Sequence, residues 1–289
     1  MNDFISETTR LSAARQMCVG IEQLVGRIFL TRPTREPVSK ARRAVISRLS
    51  GQAGAAREKQ PSLRPELQQP APAPMTCKLV VFDLDGTLAD SFDTFRVCLD
   101  EAAAVHGFRS LAGEDTQRIR RMSSRQLMDH LGVPIWKVPT LAVDMRRRMF
   151  ARSDAVRPFP GVEATLRRLQ GDGVALALVT SNTRDAARAV LGADTLARFD
   201  HLHCGASLFG KRFKLRELLW TTRLRPEAVT CIGDEIRDAD AARAVGMNFL
   251  GVAWGYTHPE ALQAHCDAPL LQKLDELPEH LPTSNPTGD

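Results

Sequence analysis

Long apolar runs are absent from this sequence. No stretch of eighteen consecutive apolar residues occurs among its 289 residues, and the best stretch near the N-terminus, residues 19–30, is interrupted by Glu22 and Arg27. A membrane-spanning helix needs about 20 apolar residues, and the apolar core of a secretory signal excludes such charges. We therefore expect neither a spanning helix nor a secretory signal.

Cysteine motifs and strong compositional bias are also missing. The six cysteines form no Cys-x-x-Cys pair, so we expect reduced thiols and a cytoplasmic protein. The chain is 43% hydrophobic and 25% charged. These values are those of ordinary soluble globular proteins, and they exclude a wholly disordered, collagen-like or coiled-coil chain.

Excess charge is confined to the N-terminal quarter of the chain. Residues 1–74 hold 12 Lys and Arg against 6 Asp and Glu, whereas the rest of the chain holds 27 against 28. The nearly neutral charge balance of residues 75–289 does not favour nucleic-acid binding. We expect no nucleic-acid or membrane partner, and the sequence does not indicate an oligomeric state.

The N-terminal residues predict little ordered structure. Five prolines fall in the last fourteen positions of residues 51–74, where proline disfavours helices and sheets and few apolar residues offset the entropy of ordering. We interpret residues 1–74 as a basic, proline-rich and disordered extension. We also hypothesise that Met75 is the genuine start of the protein.

Short apolar runs alternate with helical periodicity from Lys78 onwards. The predicted strands are residues 78–82, 174–179, 229–232 and 249–253. Each strand is continuously apolar, which is typical of a strand buried on both faces. The pattern predicts an α/β fold, with a Rossmann-like parallel sheet and helices on both of its faces.

One long stretch breaks this alternation. Residues 91–158 contain several helical patterns and no convincing strand, so we predict a helical cap domain inserted after the first strand. The predicted divisions are the extension 1–74, a core of residues 75–90 and 159–280, the cap 91–158 and a tail 281–289.

Two acidic residues follow the first strand. Asp83 and Asp85 are two positions apart, so in extended chain both carboxylates point the same way. Paired carboxylates repel one another unless a cation lies nearby, and Mg²⁺ prefers oxygen ligands. By itself the pair is weak evidence, because such a pair is often just a solvated strand end.

Polar residues also follow the next two strands. Thr180, Ser181 and Asn182 offer hydroxyl, amide and backbone donors suited to a phosphate oxygen, although a helix N-cap at Ser181 or Asn182 fits the tripeptide equally well. Asp234 and Asp238 lie four residues apart on one face of a starting helix. Alone, these two acids could simply complement the helix dipole.

A lysine stands before the helix that contains Leu215. Lys211 could bridge a carboxylate and a phosphate, or it could belong with Arg212 and Lys214 to a solvated basic loop. Open α/β sheets bind ligands at the carboxyl ends of their strands. Because all of these polar groups follow strands, we expect them to converge at that edge of the sheet.

The ordered motifs resemble those of the haloacid dehalogenase superfamily of phosphohydrolases. DLDGTL at 83–88, TSN at 180–182, Lys211 and GDEIRD at 233–238 are similar to its motifs one to four. The similarity covers roughly residues 78–280. The helical insert resembles the small C1 cap of the phosphoglycolate phosphatase-like branch, so the resemblance implies the same α/β core with that cap.

The resemblance implies a role for each motif residue. Asp83 is the nucleophile that forms an aspartyl-phosphate, and Asp85 is the general acid and then the base. Lys211 neutralises the charge of Asp83 and the phosphate. The implied Mg²⁺ ligands are Asp83, the backbone carbonyl of Asp85, and Asp234, with Asp238 and Glu235 in support.

Two positions depart from the usual family pattern. Ser181 separates Thr180 from Asn182, so Thr180 and Ser181 compete for the phosphate-binding role. Lys211 lacks the proline that often follows the lysine of motif three, and Lys214 is the alternative. The spacing between Lys211 and Asp234 is nearer the family's usual distance, which favours Lys211.

These observations predict a Mg²⁺-dependent phosphatase for a small phosphorylated metabolite, with phosphoglycolate as the leading candidate. The alternatives are a sugar-phosphate mutase on the same scaffold and a non-catalytic binding protein. Arg121, in an arginine cluster of the insert, is a candidate contact for an anionic group of the substrate, although such a cluster is usually a solvated helix face. Residues 201–204 (HLHC) could suggest zinc, but a fifth strand explains them better.

Overall fold

The computed structural model describes residues 76–205 and 210–282. Its main sheet has five parallel strands in the order β5-β4-β1-β6-β7. The strands of the main sheet are β1 (Leu79–Phe82), β4 (Ala175–Val179), β5 (His201–His203), β6 (Val229–Gly233) and β7 (Asn248–Gly251). Two further strands, β2 (Ala89–Asp90) and β3 (Arg157–Pro158), pair antiparallel in a separate ribbon.

Helices fill most of the remaining described chain. The α-helices are α1 (Phe92–His106), α2 (Thr116–Arg120), α3 (Ser124–Leu131), α4 (Val138–Ala151), α5 (Val162–Gly171), α6 (Arg184–Leu191), α7 (Ala193–Leu196), α8 (Lys211–Thr222), α9 (Ile236–Arg243), α10 (Pro259–Gln263) and α11 (Leu277–His280). Short 3₁₀ turns occupy Ile135–Lys137, Ser153–Ala155, Pro226–Ala228 and Leu274–Glu276.

The main sheet is buried on both faces. Along β1, Val80 and Phe82 belong to one apolar cluster and Leu79 and Val81 to another, as the period of two in a strand requires. Helices therefore cover each face, and the predicted α/β core is confirmed. All five strands of this sheet, including the one at residues 201–203, lie within two residues of their predicted positions.

Helices α1 to α4 form an insert between β2 and β3. It has an apolar core of its own, which includes Leu99, Leu111 and Leu131. The two-residue ribbon at its base pairs Ala89 with Pro158 and Asp90 with Arg157. The sequence analysis did not predict this ribbon, because two residues are too few to establish an alternating pattern.

Some sequence-based expectations lie outside the described residues. The extension 1–74, the proposed start at Met75 and positions 283–289 of the tail belong to this group. Within residues 76–205 and 210–282, no helix is both long enough and apolar enough to cross a membrane.

Candidate active site

Three adjacent strands bring the candidate residues to one edge of the sheet. Asp83 follows β1, Thr180 follows β4, and Asp234 follows β6, and these strands are neighbours in the order β4-β1-β6. Backbone hydrogen bonds join neighbouring strand ends: the amide of Asp83, after β1, donates to the carbonyl of Ile232 in β6 at 3.0 Å, and the amide of Thr180, after β4, donates to that of His203 in β5 at 3.1 Å. The parallel topology thus produces the convergence expected from the sequence.

A lysine joins two of the buried carboxylates. Lys211, the first residue of α8, places its Nζ 2.9 Å from Asp83 Oδ1 and 2.7 Å from Asp238 Oδ1. Burial lowers the pKa of Lys211, but the charges of Asp238 and Asp83 outweigh burial and raise that pKa above its ordinary value. The structure therefore places Lys211, rather than Lys214, against the predicted nucleophile.

Negative charge in this cluster exceeds what Lys211 balances. Burial raises the pKa of Asp83 to about 7 against the opposing effect of Lys211. Burial, with Glu235 and the neighbouring aspartates, also raises the pKa of Asp234 well above its usual range. Both shifts show that ionised carboxylates are costly here without further positive charge.

The same carboxylates fit a divalent cation. One oxygen from each of Asp83, Asp234 and Asp238 lies within 4.8 Å of the others. In addition, Asp238 Oδ2 is buried and makes no hydrogen bond to the described residues. Buried carboxylate oxygens are hard ligands of the kind that Mg²⁺ and Ca²⁺ take, so the residues present could hold such an ion.

Asp234 is held rigidly in this position. Thr87 Oγ1 donates to its Oδ1 at 2.9 Å, and the amide of Tyr256 donates to its Oδ2 at 2.7 Å. Two glycines flank it so closely that a Cβ at Gly86 would lie 2.1 Å from Asp234 Oδ2 and a Cβ at Gly255 would lie 2.0 Å from Asp234 Cβ. The Asp234 side chain therefore fits only because the residues at positions 86 and 255 are glycines without a Cβ atom.

The carboxylate of Asp85 has a different environment from that of Asp83. Asn182 Nδ2 donates to its Oδ2 at 2.7 Å, and Ser91 Oγ donates to its Oδ1 at 2.9 Å. The Ser91 hydroxyl also lies 2.9 Å from the hydroxyl of Tyr256. The Asp85 carboxylate is not part of the group of three described above, which leaves its backbone carbonyl as the ligand that the family resemblance implies.

The turn after β4 is ordered by its own hydrogen bonds. The amide of Asn182 donates to Thr180 Oγ1 at 3.1 Å, and Thr180 is buried whereas Ser181 is exposed. The N-cap of α6 is Thr183, whose side chain accepts from the amide of Ala186. The alternative of an N-cap at Ser181 or Asn182 was therefore wrong by one or two residues.

Arg121 lies away from the buried carboxylates. Its guanidinium is exposed and makes an ion pair with Glu260 at 3.2 Å. The preceding residue, Arg120, is half-buried, and it donates to the carbonyls of Gly255 and Tyr256. The arrangement does not bring Arg121 together with the other candidate residues, and its contact with substrate stays a prediction.

A comparison with known protein families identifies the chain. Residues 80–252 match the family described as haloacid dehalogenase-like hydrolase. The chain belongs to this family. Two similar curated proteins are a phosphoglycolate phosphatase of Synechococcus elongatus, 31% identical over 68% of this chain and 94% of that protein, and one of Nitrosospira multiformis, 29% identical over 71% of this chain and 96% of that protein.

Solved structures share the fold of this hydrolase. A haloacid dehalogenase-like family protein of Streptococcus pneumoniae covers 71% of the chain with a TM-score of 0.56 and 20% identity, and 98% of that protein is matched. CbbY of Rhodobacter sphaeroides, solved in complex with phosphate, covers 70% with a TM-score of 0.55 and 21% identity, and 96% of it is matched. The family resemblance inferred from the motifs, including its phosphoglycolate phosphatase-like branch, is thus confirmed.

Sequence reasoning missed three residues that hold the candidate carboxylates of this hydrolase. Thr87 and the amide of Tyr256 contact Asp234, and Ser91 contacts Asp85. Tyr256 is the single tyrosine of the chain, and it lies outside the four motifs that carry the family resemblance. For Ser91, the available sequence signal was its position, as a polar residue three positions after the first motif.

Proposed function

We propose that this hydrolase is a phosphatase that releases inorganic phosphate from a small phosphorylated metabolite, with phosphoglycolate as the leading candidate. The observation that carries the proposal is the position of Asp83, buried at a strand end with Lys211 2.9 Å from its Oδ1. A buried carboxylate beside an ammonium is suited to attack phosphorus, because phosphoryl transfer depends mainly on positioning and on cancelling charge.

The two aspartates of the first motif divide the proton chemistry. Asp83 would attack phosphorus and form an aspartyl-phosphate as the bond to the leaving oxygen breaks. Asp85 would donate a proton to the leaving alcohol and later accept one from the attacking water. Hydrogen bonds from Ser91 and Asn182 fix the carboxylate of Asp85 for this work, and they leave Asp83 as the carboxylate paired with Lys211.

Mg²⁺ is the proposed cofactor. Asp83, Asp234 and the backbone carbonyl of Asp85 would hold it, and Asp238 would support it together with Glu235. When bound, the ion supplies positive charge that the cluster lacks and that phosphoryl oxygens require. Lys211 would neutralise part of the negative charge of Asp83 and Asp238, since its Nζ contacts both carboxylates.

Phosphate oxygens would meet the turn after β4. Thr180 and the backbone amides that follow it are the proposed donors, with Asn182 linking the turn to Asp85 and Ser181 as the exposed alternative. The phosphoglycolate phosphatases among the similar proteins support a small anionic substrate. A substrate of this kind fits the cytoplasmic location that we propose for the protein.

The insert over residues 91–158 would act as a cap that selects the substrate. It follows the first motif directly, and it contacts the core through Arg120, the last residue of α2, and through Arg121, which follows that helix. If Arg121 meets a second anionic group of the substrate, Arg121→Ala should lower kcat/KM for 2-phosphoglycolate more than for p-nitrophenyl phosphate. Arg118→Ala, an exposed arginine of the same helix, is the matched control, and equal losses on both substrates would contradict the assignment.

Phosphate release tests the proposed function. The full chain should liberate inorganic phosphate from 2-phosphoglycolate and from p-nitrophenyl phosphate with Mg²⁺ present, and EDTA should abolish the release. Absence of phosphate release from a panel of small phosphate monoesters would refute the proposal. Transfer of phosphate to a second hydroxyl of a sugar phosphate, without release, would identify a mutase instead.

A further inference from the structure

A second lysine of α8 contacts a different set of groups from Lys211. Lys214 lies one helical turn after Lys211, but its ammonium meets no carboxylate of the cluster described above. Its Nζ is 2.6 Å from the carbonyl oxygen of Thr180 and 3.1 Å from that of His203, and it also donates to the carbonyl of Gly205. These carbonyls come from the ends of the adjacent strands β4 and β5.

The contacts match the chemistry of an ammonium completely. A lysine ammonium has three N–H donors and no acceptor, and here each donor has one carbonyl to meet. All three donors of the Lys214 ammonium are therefore taken by backbone carbonyl oxygens at the ends of β4 and β5. Without the ammonium, the carbonyls of Thr180 and Gly205 would lose this donor, whereas the carbonyl of His203 would keep the amide of Thr180; each lost hydrogen bond costs free energy.

One of the three carbonyls, that of Thr180, belongs to the turn after β4 that the proposed function assigns to phosphate, and the other two lie at the end of β5 and just after it. The amide of Gly205 donates to the carbonyl of Asn182 at 2.5 Å, and the amide of Thr180 donates to His203 at 3.1 Å. Lys214 closes this arrangement from the side of α8. Without its ammonium, the two strand ends would be joined by these backbone bonds and by the pairing of Val179 with His203 in the sheet.

The same turn reaches two candidate functional groups. Asn182 donates its amide to Thr180 Oγ1 at 3.1 Å and its side-chain Nδ2 to Asp85 Oδ2 at 2.7 Å. A displacement of the turn would therefore move the proposed phosphate donors and release one hydrogen bond to Asp85. In contrast, Asp83, Asp234 and Asp238 hold their positions through other partners.

We propose that Lys214 is a positioning residue whose ammonium cross-links the ends of β4 and β5 and so fixes the phosphate-binding turn. This inference rests on the proposed phosphatase function. It separates the two lysines of α8: Lys211 balances the reacting carboxylate, and Lys214 acts only through the backbone carbonyls it holds. It also implies that a small alkylammonium ion could replace the side chain when the side chain is shortened.

Two variants of the full-length protein test the inference. Lys214→Met removes the donors at similar length, and Lys214→Ala leaves room for propylammonium. Both should raise the KM for p-nitrophenyl phosphate and the inhibition constant of inorganic phosphate, with kcat/KM falling about 100-fold, as expected for a misplacement of about 1 Å. The Mg²⁺ concentration for half-maximal activity should stay within about threefold of wild type, because the carboxylate cluster keeps its partners. Lys273→Ala, which removes an exposed lysine on the surface of the α/β domain, is the matched control.

Chemical rescue separates positioning from general destabilisation. Propylammonium should restore activity to Lys214→Ala, whereas tetramethylammonium at the same ionic strength should not, because it carries the charge but no N–H donor. Amide hydrogen exchange at Asn182 and Gly205 should be faster in both variants and should slow again in Lys214→Ala with propylammonium. A structural defect elsewhere would respond to neither ion.

The outcomes distinguish the inference from the function on which it rests. Unchanged KM, phosphate inhibition and amide exchange in Lys214→Met would overturn the role of Lys214 while leaving the phosphatase intact. Equal rescue by both ions would overturn it as well, since charge alone would then suffice. A wild-type protein that hydrolyses no phosphate monoester refutes the phosphatase proposal, and amide exchange then decides whether Lys214 holds the turn.

Discussion

Replacing Gly86 with alanine should disable the site through Asp234. Gly86 has a φ of +73°, and a Cβ there would lie 2.1 Å from Asp234 Oδ2 and 2.7 Å from Tyr256 Cδ1. The side chain of Asp234 cannot move aside freely, because Thr87 Oγ1 and the amide of Tyr256 both donate to it. The substitution therefore combines backbone strain with displacement of a buried carboxylate.

The size of the effect follows from these two contributions. A left-handed conformation costs a non-glycine residue about 1–2 kcal/mol. Displacing Asp234 leaves at least one buried polar group without its partner, which costs about 1–3 kcal/mol more. We expect Gly86→Ala to lower the free energy of unfolding by about 2–5 kcal/mol. A shift of about 1 Å in Asp234 should also lower kcat/KM by about 100-fold.

Gly107 provides a matched control for the backbone strain. Its φ is +72°, and no described atom lies within 4 Å of a Cβ placed there, so Gly107→Ala should cost only the 1–2 kcal/mol or so that a left-handed conformation imposes. Urea unfolding and phosphatase assays over a range of Mg²⁺ concentrations would compare the two variants. If Gly86→Ala retained activity and Mg²⁺ affinity within threefold of Gly107→Ala, the close approach to Asp234 would not matter and the reasoning would be wrong.

Three further predictions concern single carboxylates. Asp83→Asn should reduce turnover at least about 100-fold with the fold intact, because an amide cannot attack phosphorus; residual turnover above about one hundredth of wild type would exclude Asp83 as nucleophile. Asp234→Asn should raise the Mg²⁺ concentration needed for half-maximal activity, and an unchanged titration would place the ligand elsewhere. In the insert, a hydrogen bond from Arg148, with smaller contributions from His106 and Arg147, lowers the pKa of Asp144 to about 2. The charged Asp144 carboxylate therefore stabilises the fold above about pH 4, and this stabilisation is lost as the pH falls towards 2. Asp144→Asn should thus lower the unfolding midpoint in urea at pH 7 and change it little at pH 2, and equal effects at both values would contradict this origin.

The core was predictable because its physical signals are local. A strand that is buried on both faces must be continuously apolar, and residues 79–82 show that pattern directly. The end of a parallel strand is where polar side chains can meet a ligand, so Asp83 and Asp234 could be assigned from their positions in sequence. Their ordered spacing in one chain then made the family resemblance specific.

The partners of those carboxylates were not predictable in the same way. Thr87 reaches Asp234 across 147 positions of sequence, and the hydroxyls of Ser91 and Tyr256 meet across 165. A hydroxyl or a tyrosine has no pattern that distinguishes such a bond from a solvated side chain. Lys214 illustrates the same limit, because its partners are backbone carbonyls. Every residue has a backbone carbonyl, so the residue types of the partners do not reveal the contact.

Two neighbouring arginines at the C-terminal end of α2 show how the cap and the core meet. Successive residues of a helix point about 100° apart, so sequence alone could not decide which of Arg120 and Arg121 faces the core. The structure places Arg120 on the carbonyls of Gly255 and Tyr256, and the amide of Tyr256 holds Asp234. The insert and the proposed metal ligand are thus attached to one short segment of the core. Any movement of the cap that withdraws Arg120 would act on the same backbone that positions Asp234.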